Sequence, residues 1–133
     1  MVTKPTPIKS LKPGHFVMAD DGEPCRILDI AISKPGKHGS TKARIDVMGI
    51  FDNKRRSILR PASDELEVPV IEKRKAQVIS VSGDIANLMD LETYETFDAS
   101  IPEEFRGKLQ PGGEIGYWKI ENRVLIKQAS SGD

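Results

Sequence analysis

Side chains that alternate between apolar and polar are the feature that most narrows what this chain can fold into. Over 26–32, Leu28, Ile30 and Ile32 alternate with Asp29 and Ala31; over 44–51, Ile45, Val47, Gly49 and Phe51 alternate with Arg44, Asp46 and Met48. Successive side chains of a strand point to opposite faces, so this period puts one face in a core and the other in solvent, as in an antiparallel sheet. Further stretches read as strands are 15–19, 55–60, 67–71, 76–82, 85–91, 94–98, 114–120 and 123–128. Turn chemistry punctuates them at Pro13-Gly14, Asp21-Gly22, Pro35-Gly36, Ser82-Gly83 and Pro111-Gly112-Gly113. Many short strands at this spacing predict a mainly β chain built as small barrels. One segment departs from the pattern. Ser100 and Glu103 stand at capping-box spacing, Pro102 and Glu104 fill the first turn, and Phe105 and Leu109 are four apart. These features predict one short helix of about two turns, stopped by Gly107 and Pro111.

Composition excludes several classes. With 38% hydrophobic and 30% charged residues, the chain is globular rather than a disordered tail. No apolar run reaches the roughly 18 residues of a membrane helix. The first residues carry three prolines and no apolar run, so no secretory leader is expected and the cytoplasm is the expected location. The single cysteine, Cys25, rules out an internal disulfide and, following Pro24 in a strand, reads as a packing residue. Together with His15 and His38 it is too few for a standard zinc site, so no metal is expected.

Net charge is zero, but it is unevenly spread. Residues 1–60 hold 12 Lys and Arg against 6 Asp and Glu, whereas 61–133 hold 8 against 14. A split of this kind suggests two units with different partners. The charge balance changes near Pro69–Glu72, where a turn-rich stretch ends and a new alternating strand begins. Two units are therefore expected, 1–70 and 71–133, each near the lower size limit for an independent core.

The segment SKPGKHGSTK, residues 33–42, lies between the two best strands and is thus the tip of a long hairpin. It holds Lys34, Lys37, Lys42 and His38, with no acid and no apolar side chain, so it should project into solvent. Gly36 and Gly39 leave the backbone bare on both sides of Lys37-His38. A phosphate-binding P-loop is excluded, because the upstream glycine and the Ser or Thr after the lysine are missing and a strand follows. The Gly36-Lys37-His38-Gly39 spacing matches the loop of a KH domain, but that loop joins helices. His38 has no nucleophile, second base or paired carboxylate beside it, so an enzyme is not indicated. On charge alone, an ordinary solvated basic loop remains open.

Ser33, Lys34, Gly36, Lys37, His38 and Gly39, followed by Lys42, resemble the modification loop of the translation initiation factor 5A family of archaeal type, the counterpart of bacterial elongation factor P. The likeness extends along the whole chain, through GIFDNKRRS at 49–57 and the acidic second half. It implies an SH3-like barrel over 1–70 carrying the hairpin and an OB-fold over 71–133. It also implies that Lys37 receives an aminobutyl group from spermidine through deoxyhypusine synthase, giving deoxyhypusine or hypusine, with no bound cofactor. Ser33, Lys34, Gly36, His38, Gly39 and Lys42 would contact that synthase and tRNA. The implied partner is the ribosome, where the modified arm would reach from the exit site to steady the peptidyl-tRNA.

Arg44, Lys54, Arg55, Arg56 and Arg60 extend the positive charge, giving eight Lys and Arg against Asp46 and Asp52 over 33–60. Such a stretch suits ribosomal RNA and tRNA phosphates. In the second half, Trp118 alternates in phase with Ile120 and is expected in the core, which argues against single-strand binding there. The competing reading is a generic RNA-binding or RNA-chaperone module using an unmodified basic hairpin.

Overall fold

The computed structural model describes residues 3–34 and 41–129, and it is mostly antiparallel β with almost no helix. The chain divides into two compact units, Met1–Val70 and Ile71–Asp133. No helix among the described residues is long and apolar enough to cross a membrane.

The first unit contains β1 (Thr3–Pro7), β2 (Phe16–Met18), β3 (Pro24–Ser33), β4 (Lys42–Gly49), β5 (Arg55–Pro61) and β6 (Glu65–Pro69). A four-stranded sheet runs in the order β2-β3-β4-β5, and β1 pairs with β6 as a separate two-stranded sheet. The alternation does not reveal β1, because Pro5 and Pro7 lack the N–H a central strand needs. An edge strand pairing on one side only tolerates them. Ile8, Val17, Cys25, Ile27, Ile45, Val47 and Ile58 form the centre of the core, each at most 2% exposed.

The phase of β3 differs from the simple alternation. Ile27 pairs with Val47 but Asp29 pairs with Asp46, so Leu28 is the extra residue of a β-bulge. Before the bulge Cys25 and Ile27 face the core; after it Ile30 does, partly buried. Leu28 is therefore not on the core face. Ile32, although in phase with Ile30 and opposite the buried Ala43, is 52% exposed. In β4, Ile45, Val47 and Gly49 are buried as expected, whereas Phe51 falls in the following turn.

Desolvation pushes the Cys25 thiol up to about 11, since Cys25 is fully buried. The native protein should therefore resist thiol reagents at neutral pH and react fully once denatured. Comparing labelling rates in buffer and in guanidinium checks this, and equal rates would contradict the burial.

The second unit contains β7 (Glu72–Ser82), β8 (Ile85–Asp90), β9 (Thr96–Ser100), β10 (Glu114–Ile120) and β11 (Arg123–Ala129), in the sheet order β11-β10-β7-β8-β9. The sheet curls so that β9 and β11 approach each other around Val78, Leu88, Ile115, Tyr117 and Ile126. The expected two-turn helix is a single 3₁₀ turn, Glu103–Phe105, with no side-chain cap. Ser100 cannot cap it, because its backbone is the last rung of β9, opposite Ile85. Phe105 and Leu109 still pack on the barrel core.

Tyr117, not Trp118, is the buried aromatic of β10. Its ring lies 5.1 Å from that of Phe97, and its hydroxyl donates to the Asp90 carboxylate. Trp118 faces outward and is half-buried, which corrects its expected core position. Asp90, 2% exposed, also accepts from Arg74 Nε at 2.7 Å and from the backbone N–H groups of Glu92 and Thr93 at 2.7 and 2.9 Å.

Candidate functional site

The hairpin of β3 and β4 carries the motif. Its strands stay paired out to Ser33 opposite Lys42, one rung beyond the pair of Ile32 with the buried core residue Ala43. Ala31, Ile32, Ser33, Lys34 and Lys42 are all exposed, whereas Ala43 on the returning arm is still part of the core. The backbone N–H of Ala62 donates to the Thr41 carbonyl at 2.8 Å, tying the returning arm to the end of β5. Gly36, Lys37, His38 and Gly39 lie outside the described residues.

Cross-strand partners share a face, so register sorts the basic residues into two sets. The outer face of the sheet carries Lys42 opposite Ser33, Arg44 between Ala31 and Leu59, and Arg55 beside Met48 and Arg26. Among the described residues Arg44 makes a single, long contact to a carboxylate, Asp46 at 3.7 Å, and it stays exposed. Lys54 and Arg55 are exposed, and neither pairs with a carboxylate among the described residues. Arg26 joins this face although sequence reasoning passed over it; its alternation with Cys25 and Ile27 was the available signal. Leu59, 67% exposed, adds an apolar spot near the hairpin base.

Arg56 and Arg60 are on the opposite face and are held by carboxylates. Arg56 donates to both oxygens of Asp52, at 2.6 and 3.2 Å, and to Asp21 at 2.9 Å. Arg60 pairs with Asp20 and approaches Asp64 at 3.9 Å. The hydrogen bonds from Arg56 hold the Asp52 carboxyl well below the usual carboxylate range. Gly49 makes room for this pair, because a Cβ there would stand 2.0 Å from an Asp52 oxygen. Asn53 takes the left-handed conformation at φ 56° that closes the turn. The GIFDNKRRS segment is thus a turn locked by an ion pair, with Lys54 and Arg55 presented outward.

Among the described residues, no group of three His, Cys, Asp or Glu is arranged to hold a metal ion. What the described residues offer is a pair of strands leading to and from the lysine-bearing segment, on a sheet with an outer face of positive charge.

The comparisons agree with this arrangement on both units. Residues 2–64 match the model for the N-terminal domain of translation initiation factor 5A-like proteins. Residues 70–128 match the model described as "Eukaryotic elongation factor 5A hypusine, DNA-binding OB fold". Translation initiation factor 5A of Archaeoglobus fulgidus is 53% identical over 121 residues, covering 91% of this chain and 94% of that protein. The Thermococcus kodakarensis protein of the same name is 49% identical over 125 residues, covering 91% of each. The solved structure of the Methanococcus jannaschii factor superposes with a TM-score of 0.86 at 44% identity, covering 96% of both chains. Matches that span both units at this identity place the chain in the translation initiation factor 5A family, a family of non-enzymatic translation factors.

Proposed function

We propose that the protein binds the ribosome near the exit site and uses a modified Lys37 to position peptidyl-tRNA and promote peptide-bond formation at stalling sequences such as proline runs. The observation that supports this reading is the pairing of β3 and β4 out to Ser33 and Lys42, both exposed, which sets the two ends of the Lys37 segment side by side at the exposed end of the hairpin. Deoxyhypusine synthase must thread the Lys37 side chain into its own site, and the glycines at 36 and 39 leave room for that. The spermidine-derived arm then adds reach and a second amine. Ser33, Lys34, His38 and Lys42 flank it, and the outer-face residues Arg44, Lys54 and Arg55 supply phosphate contacts. Arg56 is committed to Asp52 and Asp21 and locks the turn, and Arg60 is committed to Asp20 and Asp64.

The chemistry needed is orientation. Proline fixes φ and offers a secondary nitrogen, so its reacting groups are hard to align. An arm that orders the peptidyl-tRNA gains most where alignment is worst. Peptide-bond formation in a reconstituted system, with modified and unmodified protein, tests this. The modified form should accelerate proline runs far more than ordinary sequence, while the unmodified form binds but accelerates little. Equal rates for both forms would favour a plain RNA-binding module.

A further inference from the structure

The positive outer face of the first unit is interrupted by its own acids. Register sorts that face into rungs: Lys42 opposite Ser33, Arg44 between Ala31 and Leu59, Asp46 between Asp29 and Ser57, and Met48 between Arg26 and Arg55. The rung of Arg26 and Arg55 lies four residues along β4 from Arg44, about 13 Å away. The two carboxylates stand midway. Asp29 reaches this face only because Leu28 is the extra residue of the bulge; strict alternation from Arg26 would have turned it into the core. Like charges directly opposed across two strands destabilise a sheet. Little offsets them here. Asp46 accepts from the Ser57 hydroxyl at 2.7 Å, while the Arg44 guanidinium stays 3.7 Å away. Asp29 is exposed and pairs with no cation among the described residues.

We propose that Asp29 and Asp46 are specificity determinants: they repel a phosphate at the middle of the face and so select folded RNA over extended single strands. The proposal rests on the reading of this face as an RNA-contacting surface. The pair takes no ligand of its own. A flexible strand that runs from Arg44 to Arg26 and Arg55 must carry phosphates over the acid rung, where like charge opposes them. A folded RNA can present two separate backbone segments, one to each basic rung, with a groove surface between them. Specificity is a difference of affinities, and an element that repels the wrong ligand serves it as a contact to the right one does. Phosphate binding by Lys and Arg is indifferent to sequence, so a basic face directed at one RNA assembly gains from such an element. A local rule broken at some cost in stability is what a functional surface is expected to show.

Unmodified full-length protein is titrated with labelled oligouridine, with and without magnesium, and separately with ribosomes from a matching organism. Asp29→Asn alone and combined with Asp46→Asn are compared with the wild type. Glu65→Gln, on β6 in the other sheet, is the charge-matched control for the single variant. Asp29→Asn should tighten oligouridine binding severalfold, and the double variant roughly tenfold or more. The slope of log affinity against log salt should steepen by about 0.7 for each further phosphate accommodated. Ribosome binding should gain less, so the preference for ribosomes falls severalfold. Calorimetry should show the first unit of Asp29→Asn melting roughly 2–4 °C higher, because the opposed charges are relieved. Oligouridine binding no tighter than that of Glu65→Gln, or an equal gain on ribosomes, overturns the proposal. So does a lower melting temperature, which would make Asp29 a structural group. Magnesium-dependent binding that Asp29→Asn abolishes also overturns it, since the pair would then be a cation bridge. Arg44→Gln with Arg55→Gln tests the underlying reading separately: if neither RNA binds more weakly, the face does not contact RNA and the proposal falls with it.

Discussion

Lys37→Arg is expected to carry no aminobutyl addition and to lose the acceleration of peptide-bond formation at consecutive prolines. The substitution keeps the charge and the loop composition, so binding through Arg44, Lys54 and Arg55 should persist and weaken steeply with salt. What disappears is the arm. Orientation worth only about 1.4 kcal/mol in the transition state changes a rate tenfold, so a loss of at least that size is expected on proline runs. Ordinary sequence should be affected much less. Peptide mass spectrometry of protein from the native organism should place the increment within 35–42 and find none in the variant. Lys34 and Lys42 should stay unmodified, because Lys34 directly follows β3 and Lys42 is the first residue of β4. Normal growth with Lys37→Arg as the sole copy would show that the arm is not the function.

Asp90→Ala should destabilise the second unit by about 3 kcal/mol, the low end for breaking a buried ion pair. Asp90 is nearly inaccessible and receives Arg74, the Tyr117 hydroxyl and two backbone N–H groups. The low end applies because Arg74 retains Glu72 and Glu92. In a unit of this size the loss should lower the melting temperature by about 15 °C. Trp118 fluorescence follows it selectively, since the only tryptophan belongs to this unit.

The pH dependence has a definite sign. Hydrogen bonding from Arg74, reinforced by Tyr117, holds the Asp90 carboxyl far below the usual range against the opposing effect of its burial. A carboxylate depressed on folding contributes fully above its unfolded value, about 3.9, and loses that contribution as pH falls toward the folded value. The stability gap between wild type and Asp90→Ala should be constant from neutral pH to about pH 5 and shrink below pH 4. A gap unchanged at pH 3 would mean that the ion pair is not what the aspartate contributes. Tyr117 moves the other way: burial, then its bond to Asp90, push its hydroxyl up to about 12, so it stays protonated throughout this range.

Asp90 was not legible in the sequence, and the reason is distance along the chain. Arg74 and Tyr117 stand 16 and 27 residues away, and only the curl of the sheet brings them to one carboxylate. The hairpin motif was legible because it is local. A run of lysines, glycines and polar residues without apolar side chains has nothing to bury, whatever surrounds it. The β10 range, 114–120, could likewise be read from alternation, since period two is a property of the strand itself.

Which face is the core is a different question, and neighbouring residues show it. Tyr117 and Trp118 are both large aromatics in one strand, and Arg55 and Arg56 are both arginines in another. Sequence alone determined that each pair splits across a sheet. Tertiary structure decided that Tyr117 enters the barrel while Trp118 meets two lysines, and that Arg56 is locked by Asp52 while Arg55 is offered to solvent. A single bulge at Leu28 similarly reverses the phase within β3. Alternation records only relative orientation, and its absolute sense depends on register and bulges, which are set by packing between strands distant in sequence.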